Sequence, residues 1–180
     1  IAVHNSKVVE PLGIFYDKKT NLIILYALSG AAGHEWEISD TIVKLAKDIK
    51  AKEILCIEGV GAVKPSEESE TYYISNRENG FRKTGIKPLK EGIIMGVTGA
   101  LLLRNDVPIS SIFAETHSAL PDSRAAAKII EALDKYLGLR LDYKPLIKKA
   151  EGFEEKLRHI LEKTHEAKTE KDKKELSYLG

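Results

Sequence analysis

The stretch from Ile112 to Leu133, IFAETHSALPDSRAAAKIIEAL, constrains the fold more than any other. It opens on the apolar run Ile112-Phe113-Ala114, which predicts the end of a buried strand. It then crosses a polar loop and the pair Pro121-Asp122 and enters a helix. Asp122 or Ser123 can accept hydrogen bonds from the first free backbone N–H groups, so this helix carries its own start signal. Ala125, Ile129, Ile130, Leu133 and Leu137 recur at helical spacing, and Gly138 supplies the stop. A joint of this kind serves either as a catalytic corner, here bearing Glu115, His117 and Asp122, or as plain connection. The remainder of the chain has to decide between them.

The segments around the joint have the same strand-and-helix rhythm. Leu12 to Tyr16 reads as a short strand before the turn Asp17-Lys18-Lys19-Thr20-Asn21, and Leu22 to Leu28 is a continuous apolar run that predicts a buried strand. The small loop Ser29-Gly30-Ala31-Ala32-Gly33 follows; it has neither GxGxxG spacing nor a Lys-Ser/Thr ending, so a tight turn is favoured over a phosphate cradle. Glu35 to Ile49 places Ile38, Ile42, Leu45, Ala46 and Ile49 on one helical face, and Glu53 to Ile57 is the next apolar strand. Strand, helix and strand in this order predict a βαβ unit with parallel pairing. Thr71 to Ser75 is β-prone, Phe81 to Leu89 irregular, Gly92 to Val97 a short strand, Thr98 to Arg104 a short buried helix, and Ser110 to Glu115 a strand. The class this predicts is α/β.

Composition narrows the function. The formal charge of +1 on 180 residues excludes binding to nucleic acid or a membrane surface driven by bulk electrostatics. The single cysteine, Cys56, lies in an apolar run and reads as a small core residue; there is no disulfide framework and no thiolate cluster. No apolar stretch is long enough to span a bilayer, and a cytoplasmic protein is expected. Abundant Lys and Glu, no Gln, one Cys and one Met match the composition of thermophile proteins.

The acid/base candidates are His34, Glu35, Glu58, Glu115, His117 and Asp122. Glu58 leaves its strand at the C-terminal end, where ligands bind in open α/β sheets. Glu115 and His117 alternate on a strand end and so share a face. Two ligands fall short of the three or four that a zinc site needs, so no metal and no cofactor is expected. There is no GxSxG elbow. Asp122 reads as a helix cap before it reads as a base. Arg77, Arg82, Lys83 and Lys87 form a modest basic patch beside Glu67, Glu68 and Glu70, the pattern of a solvated loop and not of a nucleic-acid surface.

The C-terminal part has a different character. Leu146, Ala150, Phe153, Leu157, Ile160 and Thr164 alternate by four and three, the spacing of a coiled-coil seam. From Glu162 to Glu175 the chain is nearly all charged and small residues, and it ends Leu176-Ser177-Tyr178-Leu179-Gly180. The expected division is an α/β core over residues 1–145 and a helix with a charged arm over residues 146–180.

Glu115-Thr116-His117 with Pro121-Asp122-Ser123-Arg124-Ala125-Ala126-Ala127-Lys128, and then Tyr136-Leu137-Gly138-Leu139-Arg140-Leu141-Asp142, resembles the archaeal and eukaryotic proteasome-assembly-chaperone family. Ala51 to Gly61 and Gly92 to Leu102 resemble further segments of its pattern, and the likeness runs from about Asn21 to Glu151. The family's Gly-rich N-terminal strand and helix have no counterpart here, which implies a trimmed chain whose sheet lacks its first strands. The resemblance implies a three-layer, phosphorylase-like α/β sheet with flanking helices, used without catalysis, in a homo-oligomer such as a tetramer. It also implies a long C-terminal helical arm whose hydrophobic-tyrosine tail docks between α subunits of the 20S proteasome. Carried onto this chain, the proteasome-binding residues are Leu176, Tyr178, Leu179 and Gly180. The family tail places tyrosine next to last, whereas Tyr178 is third from the end and Leu179 next to last. Two other functions compete: a phosphorylase-like or hydrolase-like enzyme using Glu58, Glu115 and His117, and a scaffold subunit of a hetero-complex that never meets the proteasome.

Overall fold

The computed structural model describes residues 2–4, 6–27, 31–61, 70–77, 80–82, 84–116, 122–142, 144, 147–148, 151–152 and 155. Among the described residues the elements follow in chain order: β1 (Ala2–His4), β2 (Lys7–Val9), β3 (Leu12–Asp17), β4 (Leu22–Ala27), α1 (Glu35–Asp48), β5 (Ile54–Gly61), β6 (Thr71–Ser75), β7 (Lys87–Pro88), α2 (Gly96–Leu102), β8 (Ile109–Thr116) and α3 (Ser123–Leu137). β1 pairs with β2, β3 pairs with β4, and the remaining strands form a four-stranded sheet in the order β5-β8-β6-β7. The α/β class expected from the sequence is observed.

Sheet directions follow from individual bonds. Ile54 N–H donates to Pro108 O near the start of β5, and Thr116 Oγ1 donates to Val60 O near its end. The two strands therefore advance together and are parallel. Asn76 N–H donates to Ile109 O and Glu115 N–H to Glu70 O, so β6 runs antiparallel to β8.

By its contacts the chain divides into two units. The first comprises Ile1–Cys56, Tyr73–Gly80 and Pro88–Ser111. Its core gathers Val43 of α1, Cys56 of β5, Leu101 of α2 and Ile109 of β8, with Ile42, Ile54, Val97, Leu102 and Val107 packed around them. Cys56 is thus the small core residue its apolar run predicts. Arg104 lies over the Trp36 ring at 5.3 Å and pairs with Asp40, tying the end of α2 to α1. The second unit comprises Ile57–Tyr72, Phe81–Lys87 and Ile112–Gly180. Here Phe81, 1% exposed, stacks on Tyr136 of α3 with ring centroids 4.1 Å apart.

α3 matches its sequence reading closely. The Asp122 carboxylate accepts from the N–H groups of Arg124 and Ala125 at 3.1 and 2.9 Å. Gly138 adopts φ +68° and donates its N–H to Asp134 O at 2.7 Å, the left-handed stop that glycine allows.

Three expectations need correction. The predicted βαβ unit joining Leu22–Leu28 to Glu53–Ile57 does not form, because β4 pairs antiparallel with β3, with Ile14 opposite Leu25 and Phe15 opposite Ile24. A short turn closes that hairpin locally, and the hairpin partner outcompetes the more distant one. The same strand was expected to be buried, yet Ile23, Ile24 and Leu25 are exposed. Finally, Gly92 to Val97 is not a strand. Gly96, at φ +70°, turns the chain into α2, and Ile93 and Met95 stand exposed. The helix and arm expected from residue 146 onward fall largely outside the described residues. Those described there, 147, 148, 151, 152 and 155, are helical.

Removing the cap tests the α3 account. Asp122→Ala should cost about 1 kcal/mol and lower the melting temperature by a few degrees. Gly138→Ala should cost a similar amount, since alanine resists positive φ. An unchanged melting curve for Asp122→Ala would show that the cap carries no stability.

Candidate functional site

Near the C-terminal end of β8, Glu115, one of the carboxylates singled out in the sequence, meets Glu70 and a tyrosine that was not singled out. Glu115, near the end of β8, accepts from the Tyr72 hydroxyl at 3.2 Å through Oε1 and from the Glu70 N–H at 3.4 Å through Oε2. The Tyr72 hydroxyl also lies 3.1 Å from Glu70 Oε2, and the Lys87 ammonium sits on both Glu70 oxygens at 2.9 and 3.1 Å. Lys87, followed by the Tyr72 hydrogen bond, holds the Glu70 carboxyl below the usual carboxylate range. Burial, followed by the hydrogen bond to Glu70 and the charge of Glu115, pushes the Tyr72 phenol up to about 12. Beside this cluster Thr116 bonds Val60 O, and a Cβ on Gly59 would approach Thr116 Cγ2 to 2.9 Å, so the strands lie too close there for a larger residue.

A general base needs a lone pair aimed at a substrate proton. Each oxygen of Glu115 accepts one donor, from Tyr72 of β6 and from the Glu70 N–H preceding it, and these bonds join β6 to β8. Glu58 lies on β5 with its Oε2 buried and without a hydrogen-bond partner. His117 lies outside the described residues. His34 is exposed at the start of α1, with Nδ1 3.3 Å from Glu37, and Glu35 accepts from the Gly33 N–H. Asp122 caps α3. The structure thus gives Glu115, Asp122, His34 and Glu35 separate local contacts and leaves the buried Glu58 Oε2 without one. Among the described residues no group of three or more His, Cys, Asp or Glu side chains is arranged to hold a metal ion.

The basic residues are also engaged. Arg77 pairs with Glu53 at 3.2 Å, and Lys87 with Glu70, leaving Arg82 as an exposed side chain on the loop; Lys83 lies outside the described residues. An open cleft of about 220 Å³ is lined by Asn76, Arg77, Asn105, Asp106, Val107 and Pro108, but Asp106 is held by Lys47 at 2.7 Å. No helix among the described residues is long and apolar enough to cross a membrane. Tyr72 escaped sequence reading because Glu115, its partner on β8, lies 43 residues along the chain. The signal available was only its place in a β-prone run following Glu70.

The four proteasome-binding residues expected at the chain end, Leu176, Tyr178, Leu179 and Gly180, lie outside the described residues.

Comparison with known proteins supplies what local geometry does not. The PAC2 family matches residues 1–161, and the chain belongs to this family. A solved structure of Pyrococcus furiosus PbaA, described as an archaeal homolog of proteasome-assembly chaperone, is 31% identical with a TM-score of 0.76, covering 93% of this chain and 76% of that one. P. furiosus PbaB, described as an archaeal proteasome activator, shares the fold at a TM-score of 0.68 and 20% identity, over 88% of this chain and 75% of that one. The curated relative MJ0106 of Methanocaldococcus jannaschii, itself uncharacterized, is 29% identical over 130 residues, 69% of this chain. The chain spans about half the length of that relative, 53%.

The Tyr72 clamp yields a pH-dependent prediction. A phenol whose folded value lies above its unfolded one stabilises the fold fully below the unfolded value of 10 and loses that contribution as pH rises towards about 12. Absorbance titration should therefore show a tyrosine ionisation towards pH 12 that Tyr72→Phe removes. Tyr72→Phe should also cost about 1 kcal/mol at neutral pH. A Tyr72→Phe titration that matches the native one in that range would contradict the clamp.

Proposed function

We propose that this protein is a non-enzymatic, homo-oligomeric chaperone or activator-like protein of the proteasome, working in the cytoplasm. In this reading an α/β core over residues 1–145 carries an arm over residues 146–180. The arm docks on the 20S α ring through Leu176, Tyr178, Leu179 and Gly180. The observation that carries it is membership of the PAC2 family together with the likeness, over almost the whole chain, to a relative described as a homolog of proteasome-assembly chaperone. The engagement of Glu115 by Tyr72 and Glu70 supports a core used for scaffolding in place of acid/base work.

The chemistry of such docking is recognition of a chain terminus. A carboxylate pairs with a basic group at the pocket rim, while an aromatic ring and an aliphatic side chain fill the groove. Each arm alone binds weakly; several arms on one oligomer raise the effective concentration and the avidity. The near-balanced charge of Glu162 to Glu175 suits a spacer that stays hydrated and does not collapse onto the core.

Deleting Leu176 to Gly180 should abolish co-sedimentation with 20S cores while the size of the oligomer in solution stays the same. Undiminished co-sedimentation after that deletion would sink the arm mechanism.

A further inference from the structure

The open cleft of the first unit keeps polar groups in hand after its walls are built. One wall is Asn76 and Arg77, just after β6, and the other is Asn105 to Pro108, leading into β8. Asn76 ties the two together: its N–H donates to Ile109 O, its Oδ1 accepts from the Ile109 N–H at 2.8 Å, and its Nδ2 donates to Val107 O. The second wall has anchors of its own, since Lys47 of α1 bonds Asp106 at 2.7 Å and the Ile54 N–H donates to Pro108 O. Arg77 is oriented in turn. Its N–H donates to Ser75 Oγ and its Nη1 to Glu53, whose side chain is only 10% exposed and also accepts from the Ser110 hydroxyl. That ion pair uses one corner of a guanidinium with five N–H donors. The Arg77 side chain is 46% exposed, and its Nη2 and Nε bond no described residue. The amide of the exposed Asn105, on the facing wall, bonds none either.

From this we infer that the cleft binds a carboxylate with an adjacent N–H group, the chemistry shared by a polypeptide C-terminus and a free amino acid. Two donors on one edge of the guanidinium, Nη2 and Nε, match the two oxygens of a carboxylate in a planar fork. The Asn105 amide both donates and accepts, so its oxygen takes the neighbouring N–H. The charges select a monoanion. Arg77 is matched by Glu53 and Lys47 by Asp106, which leaves no surplus of positive charge for a phosphate dianion. Size points the same way. The cleft, at about 220 Å³, is smaller than the roughly 300–1,000 Å³ of pockets that enclose a drug-sized molecule, and it is open, so it suits one residue whose chain continues outside. The inference goes beyond the proposed function and does not depend on it: it gives the core a ligand and leaves 20S docking to the tail.

Heteronuclear NMR of the isotope-labelled full chain, titrated with N-acetylglycine, glycine and N-acetylglycinamide, tests it. An open cleft and so small a ligand give a Kd on the order of 1 mM, so each titration runs to ~20 mM. N-Acetylglycine or glycine should shift the backbone amides of Asn76, Arg77, Asn105 and Asp106. Tighter binding of the first identifies a chain end as the source, and tighter binding of the second a free amino acid. N-Acetylglycinamide, which lacks the carboxylate, should bind roughly tenfold more weakly or worse. Arg77→Lys keeps a cation for Glu53 but loses the fork, and should weaken binding by roughly tenfold. Asn105→Ala, at an exposed position, should weaken it several-fold with the fold intact. Should Arg77→Lys lose its far-UV circular dichroism, Asn105→Ala decides alone. Cleft amides that do not move with either carboxylate, N-acetylglycinamide binding as well as N-acetylglycine, or unchanged affinity in a folded Arg77→Lys or in Asn105→Ala overturns the inference.

Discussion

The fold depends on the burial of β8. From Ile109 to Ala114 every residue is 0–1% exposed, including Ser110 and Ser111. A strand buried on both sides leaves no water for its polar atoms, so each needs a partner within the protein. Ser111 Oγ reaches Cys56 O on β5. Ser110 Oγ meets Ser75 Oγ at 2.7 Å and the Glu53 carboxylate, which in turn holds Arg77. These bonds join β8 to β6 and to the entry of β5, and they help fix the register that later brings Glu115 against Tyr72. The same strand thus sits between β5 and β6 in the sheet and carries Glu115 into its contact with Tyr72.

This has a bearing on function. Near the C-terminal ends of β5 and β8, the usual place for chemistry in an α/β sheet, Glu115 and Thr116 bond neighbouring strands. Tyr72 bridges two carboxylates, and Lys87 offsets one of them. Membership of the PAC2 family gives that sheet a context, and the proposal assigns recognition to the last residues of the sequence.

Where a signal was local, the sequence foretold the structure. Asp122, the apolar spacing of Ala125, Ile129 and Leu133, and Gly138 all lie within a few turns, and α3 starts and stops where they direct. The helix from Glu35 and the strand around Cys56 were legible as elements, but the buried centre of α1 is Ser39, Val43 and Ala46, and Ile49 and Ile57 stand exposed. Where the outcome depended on partner choice, legibility failed. Leu22 to Ala27 reads as a buried strand by composition, but only the register with β3 reveals that its apolar side chains stand exposed. Gly92 to Val97 is apolar enough for a strand, yet Gly96 at positive φ overrides that pattern. The Tyr72 clamp joins residues 43 apart in sequence, and no spacing rule connects them.

The central claim is that recognition resides in the final residues and not in the sheet. A synthetic peptide spanning Glu175 to Gly180 with a free carboxylate tests it directly, in competition with the full chain for 20S cores. The account predicts that the peptide displaces the chain in a dose-dependent way and that the C-terminally amidated peptide is markedly weaker. Equal, negligible displacement by both peptides, with the full chain still bound, would contradict it.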